Sequence, residues 1–534
     1  MYKLLQGLAA GTHHLLRRRW SASIILCTSM LGACSLPPLE QRTVSQALDV
    51  DTASQTKLGK IIAPDLLANP GSSGIHPLYD AQNAFAARAQ LARMAERTLD
   101  VQYYIWRADS TGMLLLDELR AAGDRGVRVR LLLDDLGTSG LDDELMALSQ
   151  HPNIEVRLFN PSMLRTPKML GYLGNLKRAN RRMHNKSFTA DNQATIIGGR
   201  NVGDEYFGAT EGVLFADLDV LAIGPVVNEL SQDFDKYWAS ASSAAVEDVL
   251  APMSEPAIAQ MVRAKQSIRT TPHAAQYIAS IERSSFIQGL YAHTLPFEWA
   301  TVQVLSDDPA KGVGQAAKPD LLVPQLQKAL GPIQHRLDVV SAYFVPGADG
   351  VKNFGALAGQ GVKVRILTNA YESTDVPAVH AGYGKRRKPL LEAGVTLYEL
   401  RQLIPSYAET TEADDTRLTQ RFGSSGSSLH AKTFAVDGRK LFVGSFNFDP
   451  RSANLNTELG FLIHSPVLAQ RLAHVMDNEV PRQAYRVFLG EDGGLRWQGG
   501  SDANFPIYEV EPNTNWWSRA MVRVLGWLPI EWLL

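Results

Sequence analysis

The chain has 534 residues, more than one ordinary core holds, so about two to four domains are expected. Lys plus Arg is 53 and Asp plus Glu is 55, a formal net charge of −2, which excludes a global pull toward polyanions and leaves any basic surface local. The two cysteines, Cys27 and Cys34, both lie near the start, which excludes a disulfide framework or a cysteine zinc site downstream.

In chain order, the basic cluster Arg17-Arg18-Arg19 comes first, followed by an apolar and small-residue run from Ser23 to Ala33. That run has the length of a signal-peptide core and is too short to span a bilayer. It ends in Leu31-Gly32-Ala33-Cys34, followed by Ser35 and the extended start Pro37-Pro38. The pattern resembles a bacterial lipobox, cut before Cys34 with lipid added to its thiol; an uncleaved anchor or a buried cysteine is the plainer reading. The resemblance implies a signal peptide over 1–33 and a tether over 34–80. Ser35, rather than Asp, implies sorting to the outer membrane of a bacterial envelope, facing the periplasm. Two or three acyl chains hold a protein on a membrane where one binds only weakly.

Downstream the chain repeats itself. Leu99-Asp100-Val101 recurs as Leu337-Asp338-Val339, Gly126-Val127-Arg128-Val129 as Gly361-Val362-Lys363-Val364, His184-x-Lys186 as His430-x-Lys432, and Asp217-Leu218 as Glu458-Leu459. The order is the same in both copies and the offset stays near ~240 positions, as expected of a tandem duplication. Each copy reads as α/β: Val101–Ile105 and Val127–Leu133 are β-rich, and the segment around Met113–Leu119 between them is helical, ending near Gly123. Strand, helix, strand at that spacing implies a parallel pair with a right-handed crossover. The second copy places its helix around Val351–Ala358. The reading divides the chain into a first domain (81–240), a helical connector (241–300), a second domain (301–485) and a Trp-rich end (486–534). Residues 403–428 are polar, contain Gly423-Ser424-Ser425-Gly426-Ser427-Ser428, and read as a mobile loop.

The chemistry sits in two H-x-K-x-x-x-x-D motifs, His184 to Asp191 and His430 to Asp437. On a strand, residues two apart share a face, so His184, Lys186 and Phe188 point one way, as do His430, Lys432 and Phe434. Asp437-Gly438 and Asp191-Asn192 are hairpin turns. Returning strands over 194–197 and 441–443 lead to Gly198-Gly199-Arg200-Asn201 and Gly444-Ser445-Phe446-Asn447, whose glycines permit close backbone approach. One such motif arises by chance in on the order of 0.03 of chains this long. Two, each followed by G-x-x-N inside an independent duplication, do not.

This pair of motifs resembles the phospholipase D superfamily. Asp204-Glu205-Tyr206-Phe207, Asn447-Phe448-Asp449-Pro450-Arg451-Ser452, Asn456-Thr457-Glu458 and the Trp-rich end are similar to bacterial cardiolipin synthases. The resemblance covers roughly residues 80–534. It implies two pseudo-symmetric α/β/α sandwich domains with the active site at their interface. The candidate catalytic set is His184, Lys186, Asp191, His430, Lys432 and Asp437, supported by Asn201, Asn447, Asp217 and Glu458. A phosphodiester needs cations on its oxygens, a nucleophile and an acid, and two His with two Lys supply these with no metal or cofactor called for. The resemblance assigns His184 as nucleophile and His430 as acid/base, although motif symmetry alone allows the swap. Asp217 and Glu458 are the candidates for orienting the histidines. Asp191 and Asp437 fit better as holders of the local turns, and Asp219 is a weaker neighbour.

The implied reaction is transfer of a phosphatidyl group onto phosphatidylglycerol, with phosphatidylglycerol or phosphatidylethanolamine as donor, at a membrane. A hydrolytic phospholipase D has the same motifs. A nuclease fits less well because a polyphosphate partner brings a broader basic surface, so no nucleic acid is expected; a lipid-binding scaffold without activity is the fourth reading. The sequence leaves the oligomeric state open. Lys177-Arg178-Ala179-Asn180-Arg181-Arg182 suits either lipid head groups or a solvated loop, and Lys385-Arg386-Arg387-Lys388 suits a surface helix. Tyr103, Tyr104 and Trp106 are read as core. Trp516, Trp517, Trp527 and Trp532 suit either a bilayer interface or a packed helix.

Overall fold

The computed structural model describes residues 43–534, apart from 167, 174–175, 209–213, 261–262, 264–271, 285, 403–426, 500–505, 529–530 and 532–533. Cys34, the signal segment 1–33 and most of the loop 403–428 lie outside the described residues.

In chain order the first repeat carries β1 (Ser73–Leu78), β2 (Thr98–Ile105), β3 (Arg128–Gly137), β4 (Ile154–Phe159), β5 (Ser187–Ala190), β6 (Ala194–Gly198), β7 (Leu214–Ala216), β8 (Asp219–Ile223) and β9 (Ser243–Ala245). The second carries β10 (Glu298–Ser306), β11 (Arg336–Ser341), β12 (Lys363–Asn369), β13 (Thr396–Leu400), β14 (Ser427–Leu429), β15 (Lys432–Val436), β16 (Lys440–Gly444), β17 (Leu459–His464), β18 (Ala484–Leu489), β19 (Leu495–Gly499) and β20 (Ile507–Tyr508). Apart from β7 and β14, they form one 18-stranded sheet. Followed from strand to paired strand, the first half runs β9-β4-β3-β2-β5-β6-β8-β1, and the second runs β18-β13-β12-β11-β15-β16-β17-β10. The halves match strand for strand, parallel at β2-β3-β4 and β11-β12-β13 and antiparallel elsewhere. They join where the equivalent strands β1 and β10 pair antiparallel, Gly74 opposite Trp299.

Four of these strands lie outside the domain limits read from the sequence. β1 falls in the expected tether, β9 in the expected connector, and β19 and β20 in the Trp-rich end. Each is short or irregularly patterned and becomes a strand only because neighbouring strands are there to pair with it, β1 on both sides.

Helices cover both faces of each half. Ala81–Met94, Ser110–Asp124 and Asp142–Ser149 pack on one face of the first, and Pro225–Trp238 on the other. Leu322–Leu330, Gly347–Gly359, Pro377–Gly384 and Arg387–Glu392 pack on one face of the second, and Pro466–Asn478 on the other. The helix starts are written locally. Asp80 and Asp109 accept from the backbone of Asn83 and Gly112, and Ser465 from Leu468, while Pro225 and Pro466 occupy the first helical turn, where a missing N–H costs nothing. The duplication extends to buried ion pairs: Arg130 holds Asp100 and Arg365 holds Asp338, each at 2.7 Å. A shared apolar core joins the repeats, with Ile197, Val220 and Leu230 from the first and Leu441, Phe461 and Leu468 from the second.

Candidate active site

Each motif hairpin is tied down at its turn. Asp191 and Asn192 have φ of 51° and 53°, and Asp437 and Gly438 have 53° and 62°, the left-handed pair that a two-residue hairpin turn requires. The Asp191 carboxylate accepts from the backbone N–H of Glu96, Arg97 and Thr98 at 3.0, 2.7 and 2.9 Å. Asp437 accepts from Gln334, His335 and Arg336 at 3.1, 2.7 and 3.0 Å. These bonds fix each hairpin to the start of β2 or β11. Each acid sits seven residues from its histidine, about 20 Å along an extended chain. Asp191 and Asp437 therefore leave the candidate catalytic set: their lone pairs are spent on turns at the wrong end of the strand.

At the other end of each hairpin the repeats interlock. The His184 N–H donates to the Thr457 carbonyl at 2.9 Å, and the His430 N–H to the Ala216 carbonyl at 2.8 Å. Thr457 and Ala216 directly precede Glu458 and Asp217. The strands β7 and β14 pair in parallel beside this junction. The result is a crossed arrangement. His184 Nδ1 lies 2.8 Å from Glu458 Oε2 of the second repeat, and His430 Nδ1 lies 2.5 Å from Asp217 Oδ2 of the first. Both Nδ1 atoms are thus occupied, and Nε2 of each ring is left for chemistry. The sequence marked Asp217 and Glu458 as the orienting acids but did not show that each serves the histidine of the other repeat.

The two pairs differ in one neighbour. Ser445 Oγ donates to Glu458 and accepts from Leu459 N–H at 3.0 Å. The equivalent position in the first repeat is Gly199, where a Cβ would stand 2.1 Å from Asp217 Oδ1, so nothing larger than glycine fits there.

All of these groups are buried, and their ionisation diverges. Burial raises Glu458 to about 7 against the pull of Lys186 and Ser445. Burial also works against ionised Asp217, but His430 and Lys432 outweigh it and hold the acid at about 2. Burial, Lys186 and Lys432 push His184 well below its ordinary value. His430 is lowered by burial and Lys432, while Asp217 opposes the shift. The geometry thus favours a neutral His184 and offers His430 a fully ionised partner.

Lys186 and Lys432 each donate back to the carbonyl of the histidine two residues before, Lys186 at 2.6 Å. Burial lowers Lys186 to about 7 and Lys432 to about 8. Aromatic rings close the site: Tyr104 stands edge-on to His184 at 5.0 Å, and Tyr206 and Phe215 lie 5.2 and 4.9 Å from His430. Lys186 lies over Tyr104 and Lys432 over Tyr343. Tyr104 is therefore a site residue, whereas Tyr103, bonded to Arg88 at 2.8 Å, and Trp106 are core as expected. Alternation along β2 was the available signal, since Tyr103 and Tyr104 must face opposite ways.

The remaining candidates separate as follows. Asn201 accepts from Ile105 N–H at 3.2 Å and so also holds the end of β2. Asn447 is buried, and its amide oxygen has no hydrogen-bond partner among the described residues. Asp219 is occupied by Arg88 at 2.7 Å and Arg200 at 3.4 Å. Arg182 is buried against Asp134 at 3.3 Å, so the basic run before His184 is partly structural. Lys385-Arg386-Arg387-Lys388 is not simply a solvated surface: Arg387 is buried and pairs with Glu399 at 2.7 Å, and Arg386 pairs with Glu531 at 2.8 Å.

Two imidazoles backed by buried carboxylates and flanked by two buried lysines define a phosphodiester-transfer site of the phospholipase D kind. A family profile described as "Cardiolipin synthase, PLD-like domain" matches residues 89–238 and 323–480, and the chain belongs to that family. It is 47% identical to cardiolipin synthase C of Escherichia coli (strain K12), over 90% of this chain and 100% of that one. It is 26% identical to a cardiolipin synthase of Staphylococcus aureus (strain N315), over 74% of this chain and 64% of that one. Among solved structures, phosphatidylserine synthase of Haemophilus influenzae Rd KW20 superposes with a TM-score of 0.54 at 14% identity, covering 89% of this chain and all of that one, a likeness of fold.

Proposed function

We propose that this enzyme makes cardiolipin by moving a phosphatidyl group onto a head-group hydroxyl of phosphatidylglycerol through a phosphohistidine at His184. The observation that carries the reading is the crossed and unequal pair of histidine–carboxylate contacts, set in a chain that is 47% identical over 478 residues to a cardiolipin synthase.

In the first half-reaction, Nε2 of neutral His184 attacks phosphorus, and the bond from phosphorus to the donor's head-group oxygen breaks. His430 acts in its protonated form, which the Asp217 carboxylate at Nδ1 favours against burial, and gives its Nε2 proton to the departing alkoxide. In the second, His430 takes the proton of the acceptor hydroxyl, whose oxygen attacks phosphorus as the P–N bond breaks. Two phosphatidylglycerols yield cardiolipin and glycerol; a phosphatidylethanolamine donor yields ethanolamine instead. Lys186 and Lys432 neutralise the phosphate oxygens, and an arriving anion restores the protons that burial takes from them. Asn447 offers its amide to the same oxygens or to the acceptor.

Membrane placement supports this chemistry. Among the described residues no helix is long and apolar enough to cross a bilayer. Helix Trp516–Trp527 packs one face on Pro377–Gly384 and exposes Trp516, Trp517, Met521, Val524 and Trp527 on the other. Such a face beside Arg519 and Arg523 suits the interface of an anionic membrane. With lipid on Cys34, the enzyme is anchored to the bacterial envelope, on the periplasmic face of the outer membrane.

Mass spectrometry of products tests the reading. Purified protein on phosphatidylglycerol, with and without phosphatidylethanolamine, is expected to form cardiolipin that vanishes in His184→Ala and His430→Ala. Phosphatidic acid as the sole product would make it a hydrolase.

A further inference from the structure

The repeats part company at one groove. In the first, helices Ala81–Met94 and Ser110–Asp124 are covered by helix Pro272–Arg283 from between the repeats. Tyr277 of that helix packs edge-on to Phe85 at 5.0 Å and donates its hydroxyl to the Phe207 carbonyl, and Ala274 and Ile281 are buried in the same core. The counterparts in the second repeat are Leu322–Leu330 and Gly347–Gly359, and among the described residues no helix covers them. Ala453 stands where the first repeat has Phe207, six positions beyond the motif asparagine in each case.

Among the described residues helix and phenyl ring are both missing, and a cavity of about 470 Å³ is left, within the range of ~300–1,000 Å³ that holds small molecules. Leu326, Leu330, Phe354 and Leu357 form its walls, and Phe434 and Phe446 its floor. No Lys or Arg lines it, so it does not suit a phosphate; its lining suits hydrocarbon. It adjoins the motif strand: the lining residue Phe434 lies two residues along β15 from Lys432 on the same face, and the lining residue Phe448 follows Asn447.

We propose that this cavity takes an acyl chain of the phospholipid substrate, giving the His430 side a subsite that the His184 side lacks. The inference rests on the lipid-transfer reading above. Two nearly symmetric half-sites must treat two lipids differently, and this cavity is one place where the apolar surroundings of the half-sites differ.

Leu330→Trp and Leu357→Trp fill the cavity from the walls, away from the histidines. Each is assayed on dipalmitoyl and dihexanoyl phosphatidylglycerol in one preparation, so the ratio of the two kcat/KM values is independent of how much protein folds. That ratio is expected to fall about tenfold, the equivalent of losing contact with a few methylenes. An unchanged ratio in both variants overturns the proposal. A phosphatidylglycerol carrying a diazirine near the chain end, irradiated on full-length His184→Ala, is expected to label peptides of 322–330 and 347–359, and Leu330→Trp is expected to abolish the label. Labelling only elsewhere, or stronger labelling by diazirine palmitate than by the phospholipid, overturns it. If the wild type makes no cardiolipin yet the phospholipid still labels these helices, the synthase reading fails and the acyl subsite stands. Cardiolipin formation without that label gives the reverse.

Discussion

His184 and Glu458 stand 274 positions apart in the chain and 2.8 Å apart in space, Nδ1 to Oε2. The mirror contact, His430 to Asp217, means that neither repeat holds a complete half-site: each supplies the imidazole of one and the carboxylate of the other. The interface between the repeats therefore builds both halves of the proposed site, and disturbing it is expected to cost activity before it costs fold.

The unequal carboxylates predict unequal losses. Asp217→Asn removes the anion that lets His430 hold a proton, and about 10³-fold or more in kcat is expected to go, in line with the loss when a triad carboxylate becomes an amide. Glu458→Gln leaves an amide oxygen to accept from neutral His184, and only about 10- to 100-fold is expected. Steady-state cardiolipin formation measures both. The opposite order would assign the nucleophile to His430.

A substrate with a good leaving group separates the two histidines. With a p-nitrophenyl phosphodiester the departing phenolate needs no proton, so His430→Ala is expected to keep a stoichiometric burst of p-nitrophenol and to leave a phosphoryl adduct on His184, located by mass spectrometry. His184→Ala is expected to show neither burst nor adduct.

Anion binding should take up protons. In the free site Lys186 lies at about 7 and Lys432 at about 8, so at pH 8 much of the pair is neutral. A bound phosphate favours the charged forms and raises both, so binding draws protons from solution, on the order of one at that pH. Affinity for inorganic phosphate is therefore expected to fall as pH rises from about 7 to 9. Calorimetry in buffers of different ionisation enthalpy measures the uptake, and uptake near zero at pH 8 would mean that the lysines stay charged without a ligand.

Asp191 and Asp437 are expected to matter for stability rather than chemistry. Asp191→Ala strands three backbone N–H groups at a buried turn and is expected to cost about 2–4 kcal/mol. Asp437→Ala, at a partly exposed turn, is expected to cost less. Denaturation midpoints give the difference, and kcat per folded molecule is expected to stay within a few-fold of wild type for both.

Replacing Trp516, Trp517 and Trp527 together by serine is expected to weaken partitioning onto phosphatidylglycerol vesicles by about tenfold or more, with little change in melting temperature, because these rings face solvent. Co-sedimentation of protein lacking residues 1–34 isolates this contribution from the lipid anchor.

Much of this molecule is local and was therefore legible early. The duplication, the motif strands, their hairpin turns and the helix between β2 and β3 follow from alternation, turn residues and capping groups within a few positions of one another. β1 and β9 were missed because their partners lie far away in sequence, and β19 and β20, which pair with near neighbours, because their own patterns are weak. Tyr104 was read as core because an aromatic on a strand is equally at home against an imidazole, and Arg387 was read as solvated because Glu399 and Glu511 are invisible from its neighbours.

By itself the sequence determined that two copies of one α/β unit each present a histidine and a lysine at the mouth of a hairpin, and that each copy carries an acid in matching position. Only the tertiary structure decided that the acids cross over, that Ser445 sits on one and nothing fits beside the other, and that the second repeat keeps an open apolar cavity where the first is filled. The physical reason is that periodicity encodes which face of an element avoids water, whereas the partner of that face is chosen when β1 meets β10 and brings together groups more than two hundred residues apart.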